Sequence, residues 1–146
     1  MTAVSDRPYE VLLVDDDDAD IALITEAFAT HHAPVRLHTA VDGVEALAFL
    51  RREGGHRGAP RPDLILLGLN MPRMDGREVL AVVKADPDLG AIPVVVFTTS
   101  QRGEDVVASY TRHANAYVTK PLDLDAFDAA VNKIYEFYGE LNTRPR

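Results

Sequence analysis

The chain has 146 residues, of which 47% are hydrophobic and 26% charged, the composition of one globular domain rather than of a disordered chain or a coiled coil. Its formal net charge of −8 argues against a surface that neutralises nucleic-acid phosphates, and its lack of cysteine excludes disulfides and cysteine nucleophiles. No apolar run reaches the roughly 18 residues of a membrane span, and residues 1–10 are too polar for a signal peptide. We therefore expect a soluble cytoplasmic protein.

Short apolar runs alternate with longer amphipathic ones along the chain. Five strands are predicted, at residues 10–14, 35–39, 64–67, 92–97 and 116–118. Five helices are predicted, at residues 19–30, 44–53, 77–86, 104–112 and 124–138, and residues 54–62 are rich enough in glycine and proline to form a loop. This alternation predicts a doubly wound α/β fold, in which helices cover both faces of a five-stranded parallel sheet.

Capping residues and an apolar stripe support two of these helices. Asp42 precedes a helix with the capping-box spacing to Glu45, and Asp123 can cap the last helix. Apolar residues three or four apart form one stripe on the last helix: Leu124, Phe127, Val131, Ile134 and Tyr138. We expect this stripe to face the sheet. Phe137 and Leu141 fall on another side, which can mark a partner surface.

Acidic side chains follow the first predicted strand, at the edge where a doubly wound sheet binds its ligands. Clustered carboxylates repel one another unless a cation neutralises them, and oxygen donors without histidine or sulfur suit Mg²⁺ or Mn²⁺. For Asp15 and Asp16, which lie closest to the strand end, we favour a metal site. For Asp17, Asp18 and Asp20 we favour solvated acids at a helix start, where the helix dipole stabilises negative charge.

Lys120 and Thr98 follow the last two strands and are predicted to reach the same crevice. An ammonium at the end of a buried strand needs an anionic partner, so Lys120 is interpreted as an anion clamp opposite the cation. The Thr98 hydroxyl can donate to the same anion. A threonine at a strand end is also ordinary β propensity or a helix cap, so this position is a weaker indication.

Five motifs in order resemble the receiver domains of two-component response regulators. They are LLVDDD at residues 12–17, PDLILL at 62–67, LNMPRMDG at 69–76, VVFTTS at 95–100 and YVTKP at 117–121. The resemblance implies a receiver domain at residues 9–138, with short tails at 1–8 and 139–146 and no output domain. It also implies the flavodoxin-like strand order 2-1-3-4-5.

The resemblance assigns roles to individual residues. It implies that Asp15 and Asp16 hold Mg²⁺ or Mn²⁺, with the backbone carbonyl of Asn70 completing the coordination. Thr98 corresponds to the hydroxyl that turns toward a bound phosphoryl group and Tyr117 to the aromatic residue that swings inward with it. Lys120 then corresponds to the lysine that binds the phosphoryl oxygens.

The resemblance also implies partners. The loop at 54–62 and the extension at 135–138 are similar to the small regulators that are paired with bacterial phytochrome kinases and often form dimers. We expect a sensor histidine kinase to dock around the first helix. The fourth helix, fifth strand and fifth helix would carry the output and a homodimer contact. Neither nucleic acid nor membrane is expected as a partner.

Gly68 departs from the family pattern at the position of the aspartate that accepts the phosphoryl group. A hydrogen atom cannot attack phosphorus, so phosphorylation at the usual site is expected to fail. We also expect weaker metal binding and a Lys120 without its nearest counter-charge. We find no packing reason for the glycine. Three explanations stay open: a substitution in a receiver that otherwise accepts phosphate, a receiver that signals by binding alone, or rescue chemistry at Asp16.

Other classes of protein fit parts of the sequence. A haloacid-dehalogenase-like phosphatase would use Asp15 as a covalent nucleophile, but the residue after Asp18 is not the Thr or Val of that motif. A flavodoxin-like cofactor carrier would need donors after the first strand, where carboxylates would repel a flavin phosphate. A phosphorylation-independent binding module remains the third alternative.

Overall fold

A five-stranded parallel sheet lies at the centre of the computed structural model, which describes residues 7–30 and 35–143. The strands are β1 (Tyr9–Val14), β2 (Val35–Ala40), β3 (Leu64–Leu67), β4 (Val94–Thr98) and β5 (Ala116–Thr119). They lie in the order β2-β1-β3-β4-β5, and every neighbouring pair is parallel. The predicted sheet and its strand order are confirmed.

Within the described residues, five α-helices connect and flank the strands. They are α1 (Asp18–Ala29), α2 (Gly43–Leu50), α3 (Gly76–Ala85), α4 (Gly103–Thr111) and α5 (Leu124–Tyr135). The predicted loop after α2 contains a 3-10 turn at Gly54–His56. Helix α5 continues directly into a π-helix at Glu136–Leu141, so regular structure extends into the predicted C-terminal tail. No helix in the described ranges combines the length and apolarity needed to cross a lipid bilayer.

Both faces of the sheet are buried, which explains the continuous apolar strands. Leu12 and Val14 on β1 belong to the cluster beneath α2 and α3. Val11 and Leu13, which alternate with them, belong to the opposite cluster beneath α1 and α5. Successive side chains of a strand point to opposite faces, so an unbroken apolar run supplies both cores.

The predicted caps are confirmed, but the stripe on α5 is partly wrong. The Asp42 carboxylate accepts a hydrogen bond from the Glu45 amide at 2.9 Å, and Asp123 caps α5 in the same way. Leu124 is 66% exposed, whereas Tyr135, outside the predicted stripe, is buried. Helix α5 packs against α1 as well as against the sheet, so the buried face is turned toward Tyr135.

Candidate functional site

Four strands end around a cleft of about 120 Å³ at the carboxyl edge of the sheet. Six of the residues predicted from the sequence line it: Asp15, Asp16, Gly68, Asn70, Thr98 and Lys120. The parallel strands bring these positions together because β1, β3, β4 and β5 all point the same way. Tyr117, also predicted, does not line the cleft.

A buried lysine links three elements at the floor of the cleft. Lys120 Nζ, at the end of β5, donates to Asp15 Oδ2 at 2.6 Å and to Asp20 Oδ2 at 2.8 Å. Burial lowers the pKa of the Lys120 ammonium, but its hydrogen bonds to the two carboxylates outweigh that effect and the net shift is upward. The lysine is therefore charged and fully paired, and it ties β5 to β1 and α1.

Asp20 corrects two of the sequence-based expectations. Its side chain is not a solvated acid at a helix start, since it is 20% exposed and forms an ion pair with Lys120. Lys120 is consequently not left without a counter-charge by Gly68. The helical period could have predicted that Asp20 is partly buried. Asp20 lies four residues before the buried Ile24 and seven before the buried Ala27, so all three lie on the same face of α1.

Asp17 behaves as predicted for an acid at a helix start. Its carboxylate caps α1 by accepting hydrogen bonds from the amides of Ala19 and Asp20. The Asp17 amide in turn donates to Asp15 Oδ1 at 2.9 Å. The cap therefore also fixes the orientation of the Asp15 carboxylate at the cleft.

Gly68 follows β3 and faces the Asp15 side chain. Its φ angle is not positive, so no left-handed backbone conformation requires glycine there. A Cβ at this position would lie 3.3 Å from the Val14 carbonyl oxygen and 3.9 Å from Asp15 Cγ. By contrast, a Cβ on Gly76 would lie 1.9 Å from the Gly68 carbonyl oxygen. Position 68 therefore accommodates a side chain after a small adjustment, and that side chain would enter the cleft beside Asp15.

The loop after β4 connects Thr98 with Tyr117. Thr98 is buried, and its hydroxyl accepts a hydrogen bond from the Ser100 amide at 3.3 Å. The Tyr117 hydroxyl donates to the Ser100 carbonyl oxygen at 3.0 Å. Both side chains therefore hold the same loop residue, Thr98 from inside the cleft and Tyr117 from outside it.

A model of the response regulator receiver domain matches residues 11–132. The chain belongs to this family. It is 46% identical to the response regulator Rcp1 of Synechocystis sp. over 99% of each protein. A crystal structure of the phosphorylated cyanobacterial phytochrome response regulator RcpA is 47% identical, with a TM-score of 0.93 over 96% of this chain and 100% of that one. The Mn²⁺-bound form of Rcp1 gives 0.91 over 95% and 100%, at 46% identity.

The oxygen donors of this receiver domain suit a divalent cation in kind. They are the carboxylates of Asp15 and Asp16 and the carbonyl of Asn70, all of which line the cleft. The Asp15 carboxylate is already engaged by Lys120 and by the Asp17 amide. Among the described residues, no three acidic or histidine side chains form a metal-binding cluster. The site therefore offers a divalent cation oxygen donors of the right kind, in a set that lacks a third carboxylate.

A polar network at the start of α4 was not predicted from the sequence. Arg77 Nη2 on α3 donates to Asp105 Oδ1 at 2.7 Å, and Ser100 Oγ donates to Asp105 Oδ2 at 2.6 Å. The hydrogen bond from Ser100 and the interaction with Arg77 lower the pKa of the Asp105 carboxyl below its ordinary value. In the sequence Asp105 is only an acid in the first turn of a helix, and nothing there identifies its partners. The network anchors α4 to the loop that Thr98 and Tyr117 hold.

Proposed function

We propose that this chain is a receiver-domain response regulator that receives its signal from a histidine kinase of the phytochrome type. The observation that carries the proposal is the buried Lys120–Asp15 pair beside Thr98, at the carboxyl edge of a sheet with receiver topology. Membership of the receiver family and similarity to phytochrome response regulators over nearly the full length support it. The proposed role is signalling in the cytoplasm and not catalysis.

We assign the site residues on the basis of the cleft geometry. Asp15, Asp16 and Asn70 would hold Mg²⁺ or Mn²⁺, which neutralises carboxylates and phosphoryl oxygens. Lys120 and Thr98 line the same cleft, where an ammonium and a hydroxyl can bind an anion. Tyr117 would respond through the Ser100 carbonyl that its hydroxyl binds.

Gly68 is proposed to occupy the phosphoacceptor position. Its place at the end of β3, facing Asp15 across the cleft, is where a carboxylate would complete the donor set. Without that carboxylate the chain has no nucleophile at the position, and its affinity for the cation is expected to fall. The form described by this sequence would then bind its partners without acquiring an acyl phosphate at residue 68.

A surface formed by α4, β5 and α5 is proposed to carry the homodimer contact. Val107 and Tyr110 on α4 are exposed, as is Phe137 after α5. Phe137 and Tyr138 line an apolar groove of about 450 Å³ that runs along β5. Exposed apolar area of this kind is common at protein–protein contacts.

Intact mass spectrometry after incubation with acetyl phosphate and Mg²⁺ tests the assignment. We expect no added phosphoryl group on this chain, and one added group on a Gly68→Asp variant. Gly68→Asn is the matched control, because it has the same size but no nucleophilic carboxylate. Phosphorylation of the unchanged chain would contradict the role given to Gly68. A folded Gly68→Asp protein that stays unmodified would contradict the assignment of the whole cleft.

Phosphorylation-independent binding is favoured by one further observation. The charge of Lys120 is already balanced by Asp15 and Asp20, so the cleft is electrostatically complete around the lysine without a phosphoryl group. A binding module of this kind would give the same kinase affinity with and without acetyl phosphate, measured by calorimetry. The phosphatase alternative is not favoured, since the Asp15 carboxylate is buried and held by Lys120 and the Asp17 amide.

A further inference from the structure

Four arginines between α2 and β3 are exposed and form no salt bridge with any described residue: Arg51, Arg52, Arg57 and Arg61. Most other basic side chains in the described ranges pair with carboxylates: Arg7, Arg36, Arg73, Arg77, Arg102 and Lys120. In a chain with a net charge of −8, such a group of unpaired guanidinium groups is unexpected. An anionic ligand would neutralise them.

Three of these arginines surround a cavity of about 370 Å³. Arg51, Arg52 and Arg61 line it together with the apolar side chains of Leu50 and Leu89. The cavity lies at the amino ends of β3 and β4, so it is on the opposite side of the molecule from the cleft at the carboxyl ends. Its volume falls within the range of small-molecule sites, roughly 300–1,000 Å³.

One hydrogen bond fixes an arginine at the cavity. Arg61 donates it to the Asp88 carbonyl oxygen, which positions its guanidinium at the cavity wall. Arg52 follows the C-cap residue of α2 with a φ of +55°, the left-handed conformation in which many helices end.

The chemistry of the cavity walls selects the ligand class. Guanidinium groups bind phosphate through paired N–H donors, and they also stack on flat rings. Leu50 and Leu89 offer apolar contacts for a ring, while the carboxylates of Asp86 and Asp88 accept hydrogen bonds from hydroxyl or amino groups. These carboxylates disfavour a bare inorganic anion. We propose that this cavity is a mononucleotide site, with the phosphate on the arginines and the base and ribose against the leucines and aspartates.

Calorimetric titration at low ionic strength tests the proposal, with AMP, inorganic phosphate and adenosine as separate probes. We expect AMP to bind more tightly than either inorganic phosphate or adenosine. Phosphate can contact only the arginines of the cavity, and adenosine only the leucines and aspartates. Arg51→Ala and Arg61→Ala should each weaken AMP binding about tenfold, the usual effect of removing a charge-assisted hydrogen bond. Arg112→Ala is the matched control, because Arg112 is an exposed arginine at the end of α4 that does not line the cavity.

Several outcomes would overturn the nucleotide site. One is the absence of AMP binding at millimolar concentration, and another is phosphate binding as tight as AMP binding, which would indicate a non-specific anion effect. Equal losses in Arg51→Ala and Arg112→Ala would indicate a general charge effect. Thermal midpoints with and without AMP provide a second readout, and AMP should raise the midpoints of the parent and of Arg112→Ala more than those of Arg51→Ala and Arg61→Ala. None of these results depends on the phosphorylation of residue 68.

Discussion

The buried ammonium of Lys120 faces two carboxylates, so its removal leaves negative charge without a partner. We expect Lys120→Met to lower the free energy of unfolding by about 3 kcal/mol in metal-free buffer, the typical cost of breaking a buried ion pair. Urea unfolding followed by circular dichroism measures the change. Lys133→Met, which alters an exposed lysine on α5, should stay within about 0.5 kcal/mol of the parent.

A double variant separates charge from packing at the same position. Adding Asp15→Asn to Lys120→Met removes one of the two unpaired carboxylates and should restore part of the lost free energy of unfolding. A Lys120→Met protein as stable as the parent would mean that the Asp15 carboxylate is solvated in solution. The buried ion pair between Lys120 and Asp15 would then be contradicted.

Residue 68 also controls the charge of the cleft. Gly68→Asp adds a third carboxylate next to Asp15, and we expect it to tighten Mn²⁺ binding at least about tenfold in calorimetry. The same carboxylate should lower the stability of the metal-free protein, because it repels Asp15 and Asp16. Gly68→Asn fills the same space without charge, so it should leave the Mn²⁺ affinity and the stability of the metal-free protein near those of the parent. Unchanged Mn²⁺ affinity in Gly68→Asp would place the cation elsewhere.

At the scale of the elements, apolar runs and capping residues were sufficient to predict the sheet, its five helices and their approximate ends. Those signals are local, whereas the face that α5 buries depends on a second helix. Tyr135 packs edge-on against Phe28 of α1 with ring centroids 6.0 Å apart, a contact between residues distant in the sequence. The stripe that includes Leu124 was therefore predicted from the period alone, and the period cannot identify α1 as a neighbour.

The residues of the candidate site also fall into two groups, those that the sequence could place and those whose partners only the fold shows. Residues directly after strands, such as Asp15 and Lys120, could be placed from the sequence because parallel strands end at one edge. Asp20 and Asp105 lie inside the first turns of helices, where an acid is also explained by the helix dipole. Their partners, Lys120 and Arg77, come from other elements, and only the packed fold shows that these pairs form.

The start of α4 depends on Asp105, which joins α3 to the loop after β4 through Arg77 and Ser100. We expect Asp105→Asn to speed hydrogen exchange of the loop and the first turn of α4 about tenfold, since it removes a charge-assisted contact. Exchange in β1 should not change. Mass spectrometry of peptides covering these segments measures both. Asp125→Asn is the control, because Asp125 occupies the first turn of α5 and is exposed. If Asp125→Asn speeds exchange in the first turn of α5 as much as Asp105→Asn speeds it in the first turn of α4, the helix dipole alone would explain the faster exchange.

At the scale of the whole molecule, the two ends of the sheet differ in charge. Asp16, Asp17 and Asp18 are exposed at the carboxyl edge, while the unpaired arginines lie at the amino edge. The apolar cores on the two faces of the sheet lie between its carboxyl and amino edges and fix the strands and helices that carry both groups of charges. A cation and an anionic ligand can therefore bind the same domain without competing, and binding at either end is expected to stabilise the fold independently of the other.

Acid stability reflects carboxylates whose pKa is lowered in the folded state. The hydrogen bond from Arg73 and the amide of Glu45 outweigh burial and hold the pKa of Asp42 below its ordinary value of 3.8. As the pH falls, Asp42 is therefore protonated in the unfolded chain before it is protonated in the folded protein. The stability contributed by Asp42 is fully present above pH 3.8 and is lost as the pH falls through the lower pKa of the folded state.

An Asp42→Asn variant isolates this contribution, because asparagine caps α2 as well as aspartate does but carries no charge for Arg73. We expect its thermal midpoint to lie about 4 °C below that of the parent at pH 7. The gap should close as the pH falls below 3.8, since Asp42 is then protonated in the unfolded chain of the parent and its contribution to stability is lost. Glu26→Gln, an exposed change on α1, should show no such convergence. A gap that stays constant from pH 7 to pH 3 would show that the charge of Asp42 does not stabilise this fold.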